Sequence, residues 1–471
     1  MQAKPNYKKY AFYLIGIFLL SKLLLGLVFP IASLDGPWYL SHCFSIINGH
    51  QFKSSFASDY ITFFNLPYLY GDICALLYLP FAHTAYNIYS IFIINTGLVA
   101  ILMFLCYKVY TAQKNADLLF ILFALSVLFS PTCWLQRPET MELILILLLH
   151  LFISKKTQAK PISHILICGL LIAATGLIHP VAAVYAAVFF SFYCWENKLP
   201  LKYFISVGVA AALLFVVLYS PLIFINYNEW KLNMFTRLYT HEERSATVEN
   251  LTQFIGLSIP FLGFVLLFFF LNGKKSLLKE VFIIVLFSFI LLPFGKYYYF
   301  VYLFHTVLWR ISKRSFPASI KSWQKFFVAI FFIPGFIQTL ALPVFQIVEN
   351  RHYTLTYTKA LNEARSIALS NPDKKVWVSP NLGMSVVDQP NGRLHYLHYV
   401  KSRGEKPAIT NDIFLIEHLQ IQDYIRTYTN ATTDSLILKN LLMPVKGLLL
   451  FGVHGKRSDS LGLWSITVVK K

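Results

Sequence analysis

The sequence is poor in charge. Only 13% of its 471 residues are Asp, Glu, Lys or Arg, where a soluble domain carries about 25%. Acidic residues are the scarcer sign, 22 against 41 basic ones. Cysteine is sparse as well: Cys43, Cys74, Cys106, Cys133, Cys168 and Cys194 are scattered, with no CxxC and none in the last third. That scatter signals neither a zinc site nor a disulfide framework. Cys43 and Cys74 can pair if their loop is extracytoplasmic; the alternative is that they are small buried apolar side chains. No internal repeat of about 20–50 residues and no low-complexity linker is visible, which argues against a solenoid or tethered-domain design.

What the chain has instead is apolar surface. Hydrophobic residues make up 56% of it, in runs of about 17–25 residues, long enough to cross a hydrocarbon core. The sequence therefore predicts a polytopic α-helical membrane protein. The net charge of +19 does not point to nucleic acid. The basic residues cluster in short loops at alternate ends of the apolar runs, as the positive-inside bias requires, and no basic stripe with interleaved aromatics lies on a soluble segment. The N-terminal "MQAKPNYKKY" and the run after it resemble a signal peptide. The run continues past Lys22 to Pro30 without an A-x-A-like site, so it reads as a retained anchor.

Threading the chain with its basic residues inside gives about eleven spans: 10–30, 85–107, 117–133, 139–153, 162–178, 181–195, 203–225, 251–271, 280–294, 297–311 and 324–348. Residues 31–84 then form a long first outer loop holding Asp35, Asp59 and Asp72 against Lys53 alone. Within it "PYLYGDICALLYLPFA" is too short and interrupted to cross, and reads as a Tyr-bearing helix lying at the interface. Residues 1–350 make the membrane domain. Residues 351–471 regain charge and carry short apolar runs, "KKVWVSP", "GLLLFGV" and "LWSITVV", with helical stretches such as "KALNEARSIAL" between them. They predict an extracytoplasmic α/β domain.

The polar residues gather on one side. Asp35, Asp59, Asp72, Arg137, Glu139, Glu142, His179, Lys296 and the charges of 226–250 all fall on the expected outer face and gather at span ends. Each such group is unfavourable in a bilayer, by about 2.5–3.5 kcal/mol at a helix centre and less near the ends. Singly, each can be a snorkelling side chain; together they suggest an outward-facing polar cavity. A carboxylate at the edge of low dielectric is a good general base, and Lys or Arg beside it can hold phosphate. Phosphate at bilayer level, next to apolar grooves, suggests a lipid-linked phosphate as substrate.

The stretch "LDGPWYLSHCFSIINGH" resembles the first outer loop of the GT-C glycosyltransferases, integral-membrane enzymes that use polyprenyl-phosphate sugars. In the branch with the protein O-mannosyltransferases and the lipid A aminoarabinose transferase, an Asp follows the first span, a Tyr lies four residues on and a Gly closes the helix. Asp35, Tyr39 and Gly49 match that order. "NLPYLYGDICALLYLPF" is similar to the family's second interfacial helix. "LQRPETMEL" matches the outer end of span four, where the family often carries another acid. "GLIHP" and "GKYYYFVYLFHTVLW" resemble a following turn and a late basic-aromatic segment. Many members have Asp-Glu where this chain has Asp35-Gly36, and the proline-rich turn is reduced to Pro67.

The resemblance implies a GT-C-like fold and transfer of a sugar from a polyprenyl-phosphate donor to a lipid, glycan or protein acceptor. The expected setting is a bacterial inner membrane, with membrane lipids around the helices and the site facing the periplasm. Asp35 is the expected base; alternatively, Ser33 or Asp35 is an N-cap before a helix that starts near Pro37. Lys296 and Arg137 are expected to bind the donor phosphate, although Lys296 can be an interfacial snorkel beside Tyr297, Tyr298 and Tyr299, and Arg137 can pair with Glu139 or Glu142. Tyr39, Glu139, His179 and Tyr298 are the expected substrate-binding side chains. The loop holding His241, Glu242 and Glu243 is not an HExxH zinc signature. A divalent metal cation remains possible as cofactor, with Asp35 and Glu139 as a candidate pair. The competing function is a transporter or flippase of a lipid-linked substrate.

Overall fold

In the computed structural model the described residues are 7–28, 43, 47, 68–81, 87–110, 138–154, 161–225, 227, 274–291, 301–312, 323, 326, 330, 362, 364–374, 376–378, 394–396, 413–417, 436–441 and 464–469. The expected spans 117–133 and 251–271, most of 324–348, and the apolar run "GLLLFGV" lie outside them.

The described residues up to 312 are helical. The helices are α1 (Tyr7–Val28), α2 (Tyr68–Tyr78, continued by a 3₁₀ turn, Leu79–Phe81), α3 (Asn87–Tyr110), α4 (Glu139–Ser154), α5 (Ile162–Ile178), α6 (Pro180–Glu196), α7 (Leu201–Ile225), α8 (Lys274–Leu291) and α9 (Val301–Ser312). At 1.5 Å per residue α7 is about 38 Å long, α3 about 36 Å and α1 about 33 Å. Among the described residues one helix, over Leu201–Pro221, is long and apolar enough to cross a membrane. Shorter apolar segments, Ile15–Leu24, Ile93–Val109, Ile162–Ile178 and Pro180–Glu196, lie in α1, α3, α5 and α6.

Short polar breaks turn these apolar helices into hairpins. α6 ends on Asn197, and Lys198 follows with a left-handed φ of 50°. The Lys198 N–H donates to the Trp195 carbonyl and that of Leu199 to the Cys194 carbonyl, at 3.2 and 2.9 Å. These bonds close the helix in a Schellman-like turn, and Pro200 then leads into α7. α5 packs against α4, α6 and α7, and α2 lies against α3 and α5. The α5–α7 contact is close because Gly169 faces Ala210 and Ala211, where a Cβ would come within 2.8 Å of the Ala210 methyl. Small residues that let backbones approach are what helix association in lipid favours.

The packing leaves apolar residues outside. Leu201, Ile205, Val209, Leu213 and Val217 form an exposed stripe along α7, and Ile162, Leu166 and Leu170 one along α5. Meanwhile Lys22, Asn95, Glu139, Glu142, His150, His164, Glu280, His305 and Arg310 are buried.

One helix starts well before its expected boundary. α8 begins at Lys274 rather than 280, since the Lys and Leu residues there are good helix formers and Glu280 is held by α9.

Strands among the described residues come after residue 375. A helical stretch at 364–369 precedes β1 (Val376–Val378), followed by β2 (Leu394–Tyr396), β3 (Ile413–Glu417), β4 (Leu436–Leu441) and β5 (Trp464–Val469). They form one five-stranded sheet in the order β2-β1-β3-β5-β4. β1 runs parallel to β2 and β3, while β5 is antiparallel to β3 and β4. The parallel trio requires crossover connections rather than hairpins.

Candidate functional site

Hairpin geometry sorts the helix ends. The His164 ring nitrogen Nε2 lies 2.8 Å from the Phe152 carbonyl, so the end of α4 meets the start of α5. The start of α4, the end of α5 and the start of α6 therefore share the opposite end, which the charge pattern expects to face outward.

At that end Glu139 and Glu142 are 1% and 0% exposed. The Pro138 carbonyl accepts the Met141 and Glu142 N–H groups at 2.9 and 3.0 Å, starting the helix there. Both carboxylates thus sit in the first turn, three residues apart on one face. The positive end of the helix dipole favours them there and offsets part of their desolvation.

His179 is the whole connection between α5 and α6. Its backbone N–H closes α5 by donating to the Thr175 carbonyl at 2.9 Å. Its Nδ1 accepts the Val181 N–H at 3.2 Å, capping α6, and Pro180 takes the first helical position, where no N–H is needed. The side chain therefore has a structural task as N-cap in addition to any contact with substrate.

Asp35, Tyr39, Arg137, Lys296 and Tyr298 lie outside the described residues, as does the loop from 228 to 250. Of the expected site residues, the structure describes Glu139 and His179 and brings them to the same end. No cluster of three or more His, Cys, Asp or Glu side chains fit to hold a metal ion occurs among the described residues.

Two buried polar clusters were missed by reading loop charges alone. In the first, the Tyr185 hydroxyl lies 2.8 Å from His305 Nδ1 and 2.7 Å from Thr306 Oγ1, while His305 Nε2 lies 3.2 Å from His150 Nδ1. Phe189 packs edge-on against both imidazoles. In the second, Arg310 donates from Nε and Nη2 to Glu280 at 2.6 Å each, and from Nη1 to Glu196 at 2.5 Å. Lys279 adds a 3.5 Å contact to Glu196. This second cluster joins the end of α6, the start of α8 and the end of α9, away from the Glu139 end. The signal was present in the sequence: "LLLHLF" and "YLFHTV" each carry a histidine inside an apolar run, which marks a packed interior or a function.

Comparison with protein-family models, curated proteins and solved structures finds no match.

Proposed function

We propose that this chain is a multi-pass membrane glycosyltransferase of the GT-C type, drawing a sugar from a polyprenyl-phosphate donor. The observation that carries the reading is the pair of buried carboxylates, Glu139 and Glu142, in the first turn of α4. They stand in "LQRPETMEL", where the resembled enzymes often carry an acid. Apolar stripes facing outward on α5 and α7 support burial of these helices in lipid. The membrane we propose is a bacterial inner membrane, with the carboxylate end towards the periplasm and residues 351–471 on the same side, binding the acceptor.

In this reading Asp35 takes the proton from the acceptor hydroxyl or amine. The acceptor atom bonds to the anomeric carbon as the carbon–oxygen bond to phosphate breaks, so configuration inverts and polyprenyl phosphate leaves. The transition state is oxocarbenium-like, as in glycosidases. Lys296 and Arg137 hold the charge that grows on the leaving phosphate, Glu139 orients the acceptor, and Tyr39, Tyr298 and His179 line the sugar site. The test is to incubate the purified protein with polyprenyl-phosphate sugars and measure released polyprenyl phosphate. Asp35→Asn keeps donor binding and loses transfer by about 100-fold or more, as removal of a general base does; unchanged turnover removes Asp35 from the chemistry.

A second reading, transport of a lipid-linked substrate, is favoured by the buried His150–His305–Tyr185 network, since polar groups inside spans often line a pathway. Tyr185→Phe separates the two: under transport it stops movement of labelled lipid across proteoliposomes, and under glycosyl transfer it leaves polyprenyl phosphate release intact.

A further inference from the structure

His164 and Cys168 lie one turn apart on α5, and Tyr203 reaches them from the first turn of α7; all three are buried. Their polar atoms form a triangle. His164 Nδ1 is 3.2 Å from the Tyr203 hydroxyl, and Cys168 Sγ is 3.7 Å from each of the two. The other ring nitrogen fixes the tautomer: a carbonyl can only accept, so His164 Nε2 carries the proton and donates it to the Phe152 carbonyl at 2.8 Å. Nδ1 therefore turns a bare lone pair towards a thiol and a phenol. Cys168 is outside any disulfide, which leaves its sulfur able to bind metal.

We infer that His164, Cys168 and Tyr203 form a binding site for a single divalent cation of the zinc type. A tetrahedral ion about 2.0–2.3 Å from nitrogen, oxygen and thiolate sulfur sets those donors about 3.3–3.6 Å apart. The observed triangle is close to that. As hydrogen bonds alone, by contrast, the two contacts to sulfur are weak. A metal-bound imidazole almost always gives its other N–H to a carboxylate, a carbonyl or water, which is the part the Phe152 carbonyl plays. Thiolate and imidazole together favour zinc over magnesium or calcium, which take oxygen ligands. No third His, Cys, Asp or Glu joins the pair among the described residues; tyrosine supplies the third donor.

The charges also balance. An apolar interior penalises an uncompensated charge, and binding creates none. The thiol and the phenol each release a proton to solvent, and the two anions formed neutralise the dication. Three protein donors leave the fourth tetrahedral position to water, as in open zinc sites. His164 and Tyr203 stand in the first turns of α5 and α7, and Phe152 in the last turn of α4, so the ion has a short path from the aqueous phase. Bound there, it ties the start of α5 to the start of α7, at the end of the helices away from Glu139. This role goes beyond glycosyl transfer, and the site is separate from the Asp35 and Glu139 pair.

The test strips the purified full-length protein with chelator, titrates it with cobalt(II), whose bond to thiolate absorbs in the near ultraviolet, and then adds zinc(II). The expected result is one cobalt per chain with that absorption, displaced by zinc. Cys168→Ser and His164→Gln abolish the band. Tyr203→Phe keeps the ring, removes only the oxygen, and weakens binding by about tenfold or more. Chains that take up no cobalt, or take it up without the thiolate band, overturn the inference. So does a band that survives Cys168→Ser, or an affinity unchanged in Tyr203→Phe. In the parent itself, where no substitution disturbs the fold, zinc(II) slows alkylation of Cys168 but not of Cys106, read by peptide mass. Equal rates at Cys168 with and without zinc count against the site. Polyprenyl phosphate release plays no part in these readouts, so the failure of either proposal is visible apart from the other.

Discussion

Arg310 and Glu280 form a two-pronged ion pair between α9 and α8, with Nε and Nη2 each 2.6 Å from a carboxylate oxygen. Both side chains are almost wholly buried, and Glu196 completes the arginine's bonding. Breaking one side of such a pair leaves a buried charge uncompensated, a loss of about 3–5 kcal/mol. Arg310→Met is therefore expected to unfold at markedly lower temperature in detergent. Arg310→Lys recovers little, because an ammonium has no planar fork to match the carboxylate. A double change, Arg310→Met with Glu280→Leu, leaves only Glu196 to be compensated and is milder than Arg310→Met alone.

Gly169 and Gly208 make a matched pair of probes. A Cβ at Gly169 meets the Ala210 methyl at 2.8 Å and the Ala211 nitrogen at 3.0 Å, whereas one at Gly208 meets nothing within 4 Å. Gly169→Ala must part α5 from α7 and is expected to cost about 1–3 kcal/mol. Gly208→Ala is neutral or gains up to about 1 kcal/mol from helix propensity. Thermal unfolding of the two variants in one detergent checks both directions.

Lys198 occupies a left-handed conformation, φ 50°, at the end of α6. A side chain there is strained by about 1–2 kcal/mol relative to glycine. Lys198→Gly is expected to raise the thermal midpoint, and Lys198→Val to lower it. A midpoint unmoved by both would mean that the turn relaxes in solution.

Asp72 is in contact with water, yet the protein around it lifts its carboxyl above the usual range by desolvation. A carboxyl raised on folding binds its proton more tightly in the native state. Its contribution is present below the unfolded carboxylate range and is lost as pH rises through the raised native value. Asp72→Asn removes that loss, so the variant gains on the parent as pH climbs from about 4 to about 7. The check is the difference in thermal midpoint across that range; a constant difference would contradict it.

The helices were the legible part of the fold. Apolar runs at 162–178 and 181–195 reappear as Ile162–Ile178 and Pro180–Glu196, because Pro161, His179-Pro180 and Asn197 punctuate them at the point where hydrophobicity falls. α8 was placed six residues late because Lys274, Lys275 and Lys279 read as a loop, while a partner in α9 draws Glu280 inward. The site was less legible. Charge alternation groups Glu139 with His179, but cannot say that His179 spends its Nδ1 on a backbone N–H. Nor can it pair His150 with His305, since partners so far apart in sequence are set by tertiary packing alone. Cys43 and Cys74 are buried thiols outside any disulfide, the second of the two readings open in the sequence, and the burial of Tyr70 and Tyr78 on the same helix as Cys74 comes only from the folded chain.

His179 also sets a mechanical limit. A joint of one residue has no slack, so the antiparallel rods on either side of it can neither slide nor splay at that end. Any opening at the Glu139 end must hinge on other seams, where α2 or α4 meets this rigid fork.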